Sequence, residues 1–203
     1  MGAKIDAARA VTTRILSKYS QFWYYFDMSL YDDIYEVAAD NYGLITSAEV
    51  AELGGRTKDL ARFVGDGRLS KVGRGVYRIS HHVPTRYDAY AESVALVGPD
   101  AYLFGESVLA LCELMPTNPY RMFVATPRRV RKSLPESIVV TQRAGQGDVG
   151  YVEGIPSQSI PGAIRTCRGT VMEDRLADAA RRARELGYIG AAEEADLLRE
   201  LER

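Results

Sequence analysis

Glycine constrains this chain between Asn41 and Ile79 more tightly than any other residue type. It stands at Gly43, at Gly54-Gly55, on both sides of Asp66 and on both sides of Arg74. Glycine carries a large backbone entropy cost inside a helix and supplies the left-handed conformation that ends one. The stretch is therefore divided into short elements. Before the first stop, Leu30, Ile34, Val37 and Ala38 recur at helical spacing, which predicts a helix from Ser29 ending near Gly43. Thr46-Ser47-Ala48-Glu49 then has the spacing of a capping box, in which the threonine hydroxyl accepts the Glu49 amide and the Glu49 carboxylate returns to the Thr46 amide. It opens a short helix with Val50 and Leu53 inward, stopped at Gly54-Gly55. Thr57 is expected to cap a third helix, with Leu60, Phe63 and Val64 inward and Lys58 and Arg62 outward. After Gly65-Asp66-Gly67 comes GRLSKVGRGVYRI, which reads as a hairpin turning at Gly73-Arg74-Gly75, with Val72, Tyr77 and Ile79 inward.

Charge sharpens this reading. The whole chain of 203 residues has a net charge of −1, which says nothing about a partner. From Met28 to Gly55, however, there are six acids and no base, whereas from Arg56 to Arg78 there are seven bases and two acids. Such a polarised stretch is the electrostatic footprint of a phosphate-backbone binder. Three helices followed by a hairpin predict a winged helix-turn-helix over residues 28–82, whose third helix enters the major groove. Arg56, Lys58 and Arg62 are then the expected helix contacts, and Lys71 and Arg74 those of the wing. Any one of these bases alone would read as a solvated surface residue; their placement together favours DNA.

Either side of this region the signals differ. Residues 1–27 form an arm with Ile5, Ala8, Val11, Ile15 and Tyr19 at near-helical spacing, followed by the aromatic run QFWYYF. An upstream extension before Met28 and a docking amphipathic helix both remain open for it. A boundary is expected after His81-His82, with a mixed α/β domain over 83–203. Helices are expected over 85–97 and 106–114, the second stopped by Met115-Pro116. YRMFVAT and SIVVTQR read as strands, GQGDVGYVEGIPSQSIP as turns, and the tail from Met172 as two helices broken between Gly187 and Gly190. The repeated βαβ rhythm of a nucleotide-binding sheet is missing, and the expected class is α+β.

These residues resemble the AbiEi family, the antitoxins and transcriptional regulators of AbiE-type (type IV) toxin–antitoxin pairs. The resemblance runs from NYGLITSAEVAELGGRTKDLARFVGDGRLSKVGRGVYRI through FGESVLALCELMP and FVATPRRVRKSLP to GIPSQSIPGAIRTC. The helix–hairpin part is the more specific, and the sequence departs from the family pattern at Gly162-Ala163-Ile164-Arg165. It implies an autoregulating repressor, in which the winged helix binds inverted repeats of operator DNA; the oligomeric state stays open, a monomer in solution that binds cooperatively on the DNA being one arrangement. It also implies that the C-terminal antitoxin domain opposes a toxin of the nucleotidyltransferase type.

Other features bound the alternatives. The cluster Arg128, Arg129, Arg131 and Lys132 is the densest in bases and reads as a second patch for phosphate or a partner. On the helix at 173–186, Arg181, Arg182 and Arg184 read as a solvated face opposite a packing face of alanine and leucine. His81 and His82 lack a third ligand at useful spacing, and Cys112 and Cys167 stand apart, so no metal site or cofactor is expected. Gly73-Arg74-Gly75 lacks the lysine and following helix of a phosphate loop, and no catalytic set is apparent. An enzyme that modifies the toxin, for example by phosphoryl transfer, stays an alternative, as does a plain repressor. No apolar run is long enough to span a membrane and no secretory leader is evident, so a cytoplasmic protein is expected.

Overall fold

The computed structural model describes residues 29–115, 120–143 and 149–202. The expected arm at 1–27 lies outside these residues, as do Pro116 and part of the turn-rich stretch. The protein is α+β and divides into two compact units between His82 and Val83.

In the first unit, α1 is helical through residues 29–39. It is followed by β1 (Leu44–Thr46), α2 (Ser47–Glu52), α3 (Thr57–Gly65), β2 (Leu69–Gly73) and β3 (Val76–Ile79). The strands form an antiparallel sheet in the order β1-β3-β2. The helices bury Leu30, Ile34, Ala38, Val50, Leu60 and Phe63 against Ile45, Leu69 and Ile79, with Val37, Leu53, Val64 and Tyr77 packed around them. Both halves of the Thr46–Glu49 capping box form: Thr46 Oγ1 accepts the Glu49 amide at 3.2 Å, and Glu49 Oε2 accepts the Thr46 amide at 2.7 Å.

Two local expectations are corrected. Thr57 is not the cap of α3 but its first helical residue; Arg56 holds the extended cap conformation, and its amide donates to Asp59 Oδ2 at 2.9 Å. The carboxylate at the third helical residue thus supplies the returning half of a capping box, accepting the cap amide, and no cap side chain accepts in exchange. Val72 stays half-buried outside the core, because the pairing of β2 with β3 shifts between Lys71 and Gly73 and leaves Val72 as the extra residue of a bulge. Leu69 and Val76 occupy the buried positions of the hairpin instead.

In the second unit a five-stranded mixed sheet has the order β6-β5-β4-β8-β7, built from β4 (Tyr102–Leu103), β5 (Met122–Thr126), β6 (Ile138–Gln142), β7 (Val149–Val152) and β8 (Ile155–Gln158). Strands β4 and β8 are parallel, as are β5 and β6; β4–β5 and β7–β8 are antiparallel. The sequence concealed the β7–β8 hairpin in a stretch read as turns. Its two-residue turn, Glu153-Gly154, has positive φ at both positions, and a glutamate is an unusual first residue for such a turn. Helices α4 (Asp88–Val97) and α5 (Glu106–Leu111) pack on the sheet, and α6 (Ile160–Thr166), α7 (Glu173–Glu185) and α8 (Ala191–Leu201) pack on one another. α4 begins three residues later than expected, at Asp88, whose carboxylate accepts from the Thr85 amide. α5 ends at Leu111, three residues early, and Glu113 follows with φ at 53°. Cys112 and Cys167, the C-terminal caps of α5 and α6, are buried, and burial pushes both thiols up to about 12.

Thr46→Ala removes the hydroxyl half of the capping box and is expected to lower stability by about 1 kcal/mol, read as a lower urea midpoint with an unchanged slope. The cysteines predict an alkaline effect. The unfolded chain loses its thiol protons near pH 9 while the native protein keeps them to about pH 12. Above pH 9, stability should therefore fall with rising pH by as much as roughly 1.4 kcal/mol per unit and thiol. Urea unfolding at pH 8 and pH 10 should show this, with a smaller loss in Cys112→Ala.

Candidate nucleic-acid interface

The orientation of α3 follows from which residues it buries. Leu60 and Phe63 are fully enclosed, and Asp59 is 4% exposed. Turning 100° per residue, the helix must then present Thr57, Lys58, Ala61, Arg62 and Gly65 outward, and all five are exposed. Ala61 and Gly65 are short, so the part of this face beside Lys58 and Arg62 lets another surface come close to the helix backbone while the two bases reach past it.

Asp59 organises the bases around it, a role the sequence did not disclose. Its carboxylate lies 3.7 Å from Arg56 Nε and 3.6 Å from Arg62 Nη2, besides accepting the Arg56 amide. The Arg56 and Arg62 side chains keep 57% and 41% of their surface exposed on the outside of this ion cluster. Arg62 also lies over the Phe63 ring at 5.1 Å from its centroid. A nearby base is taken up by packing instead: Arg68 sits 5.0 Å from the Tyr31 ring centroid and 5.9 Å from that of Phe63. The Tyr31 hydroxyl donates to the Arg68 carbonyl at 3.3 Å. Burial holds the pKa of Tyr31 above its usual value, with the Arg68 charge opposing.

The hairpin carries the other two expected residues. Lys71 pairs with Tyr77, which pairs in turn with Ile45, so all three share the helix-facing side of the sheet. Ile45 is in the core, whereas Lys71 lies exposed beyond its end, on the side of α3. Arg74 is exposed at the turn. The turn itself is anchored: the Ser47 amide, at the start of α2, donates to the Gly75 carbonyl at 2.9 Å. Gly75 has φ of +77°, and a Cβ there would come within 2.9 Å of Ser47 Oγ. The hairpin tip is thus fastened to the helix pair it accompanies.

The second expected patch lies in the other unit, in the crossover between β5 and β6. Arg128, Arg129 and Arg131 are exposed, Arg128 in an ion pair with Asp100, and Lys132 is half-buried. Arg181 and Arg182 are engaged within α7 by Asp178 and Glu185. No group of three metal-binding side chains occurs among the described residues, and no helix there is long and apolar enough to cross a membrane.

Asp59→Ala is expected to destabilise the first unit by about 1–2 kcal/mol, since it removes a charge-assisted cap. Asp59→Asn, which keeps an acceptor for the Arg56 amide, should lose less; urea unfolding of both variants separates the cap from the charge.

No curated protein matches the chain. Residues 32–80, which run from α1 to just past the end of β3, match the family model of the AbiEi antitoxin transcriptional regulators.

Proposed function

We propose that residues 28–82 are a winged helix-turn-helix that binds operator DNA, with α3 in the major groove and the β2–β3 hairpin as the wing. The observation that carries this is the outward face of α3, where Lys58 and Arg62 lie side by side next to the short residues Ala61 and Gly65. Phosphates along a groove can meet Lys58 and Arg62, and base edges can approach the short residues beside them. Arg56 at the helix start and Lys71 and Arg74 on the hairpin extend the contact along the backbone. The order of elements and the match to a regulator family support the same reading.

In this reading the protein represses its own operon by binding inverted repeats upstream of it. As an antitoxin it counteracts a toxin of the nucleotidyltransferase type encoded alongside, the C-terminal domain of residues 83–203 being required. The first test is binding to the DNA upstream of its gene, followed by fluorescence anisotropy over a range of salt. Arg62→Ala with Arg74→Ala should weaken binding at least tenfold, and each lost phosphate contact should reduce the salt slope by about 0.9. A residue that reads a base should instead cost about 1–3 kcal/mol and relax selectivity at one base pair. Unchanged binding by the double variant would rule out this surface. Co-expression with the neighbouring gene tests the antitoxin role. Rescue of growth with the toxin's intact mass unchanged supports neutralisation without covalent modification, and a mass increase that depends on this protein would overturn that.

A further inference from the structure

The β6 edge of the second unit's sheet is built to accept another strand. Strand β6 stands at one end of the sheet order, paired on one side in parallel register with β5 over five residues, Met122↔Ile138 to Thr126↔Gln142. The hydrogen bonds bounding this ladder run from the Met122 amide to the Ser137 carbonyl and from the Arg143 amide to the Thr126 carbonyl. In a parallel ladder the residues alternate, so Val139 and Thr141 face β5 while Val140 and Gln142 turn their backbone groups away from it. Natural edge strands are ordinarily blunted by lysine, proline or a bulge. Ile138-Val139-Val140-Thr141-Gln142 has none of these, and its first four side chains are only half-buried.

Charge says what fits there. Residues 120–143 contain six bases, Arg121, Arg128, Arg129, Arg131, Lys132 and Arg143, and one acid, Glu136. Arg129 and Arg131 are exposed in the loop that leads into β6. At its other end Arg143 lies over the Phe104 ring, 5.3 Å from the centroid. A second copy paired edge to edge through β6 would bring two such basic fields together, and like charge opposes it. We propose that β6 binds an extended acidic segment of a partner protein by strand addition. Backbone hydrogen bonds to Val140 and Gln142 supply the pairing, and acidic side chains of the partner meet Arg129 and Arg131. This surface is separate from the DNA-binding reading of the first unit and does not depend on it.

The test uses the full chain and a fluorescein-labelled peptide of alternating glutamate and valine, with a lysine–valine peptide as its charge opposite. The acidic peptide should bind, and it should slow hydrogen exchange at the Val140 and Gln142 amides, which should exchange freely in the protein alone. Val140→Pro removes an amide that faces away from β5, a place where an edge strand tolerates proline, and should weaken binding by about tenfold or more. Arg129→Glu with Arg131→Glu leaves the strand intact and should reverse the preference towards the lysine peptide. Four results would overturn the proposal. One is protection of the two amides in the free protein, which would mean that another segment of this chain or a second copy already covers the edge. The others are failure of the acidic peptide to bind, equal binding by Val140→Pro, and protection of these amides by duplex DNA in place of the peptide.

Discussion

Phe63 is the residue on which the geometry of the first unit turns. Its ring is fully buried, meets Tyr31 of α1 at 5.4 Å between centroids, and sits in one core with Leu30, Ile34 and Leu60. A helix of nine residues is marginal alone and takes its stability and its rotation from such packing. Once Leu60 and Phe63 point inward, the positions of Lys58 and Arg62 follow from helical pitch. The same ring then carries the guanidinium groups of Arg62 and Arg68, so the core and the basic surface share one side chain.

The hairpin depends on a different device. A two-stranded ribbon is marginally stable in water, and this one gains a third strand in β1 and a tether at its tip. The tether runs from Ser47, beside the capping box, to Gly75, where the backbone is left-handed and a side chain would collide with the serine hydroxyl. The capping box therefore sets two things at once: the start of α2 and the position of the turn that carries Arg74. In the region that matches the AbiEi model these contacts convert a run of glycines into one surface.

The first unit was legible because its signals are local. A threonine and a glutamate three apart describe a capping box wherever they occur, and glycine pairs mark the ends of α2 and α3 correctly. The misreadings were local competitions that another residue won. Arg56 and not Thr57 stands at the cap of α3, its amide held by Asp59, and a bulge removed Val72 from the core. Asp59 carries no sign in sequence of being buried between two arginines, since a lone acid in a basic stretch ordinarily reads as solvated. In the second unit, β4 has two residues and the β7–β8 turn uses a glutamate with positive φ, so neither strand pattern nor turn chemistry announced them. The basic cluster at 128–132 was visible, but its pairing with Asp100 joins residues far apart in the chain and could not be read from spacing.

The sequence alone determined the short helices of the first unit, their apolar faces, the hairpin and the swing from acidic to basic charge, because each rests on contacts within a few residues. Only the tertiary structure decided what each base lies against. It set Arg68 on two aromatic rings, Arg62 beside Asp59 and Arg128 beside Asp100, while Lys58, Arg62, Lys71 and Arg128 all lie exposed. It also decided that β6 lies at an edge, a consequence of strand order in the sheet. The physical reason is the same in each case: local preferences are written residue by residue, whereas burial, ion pairing and strand neighbours arise only when distant segments meet.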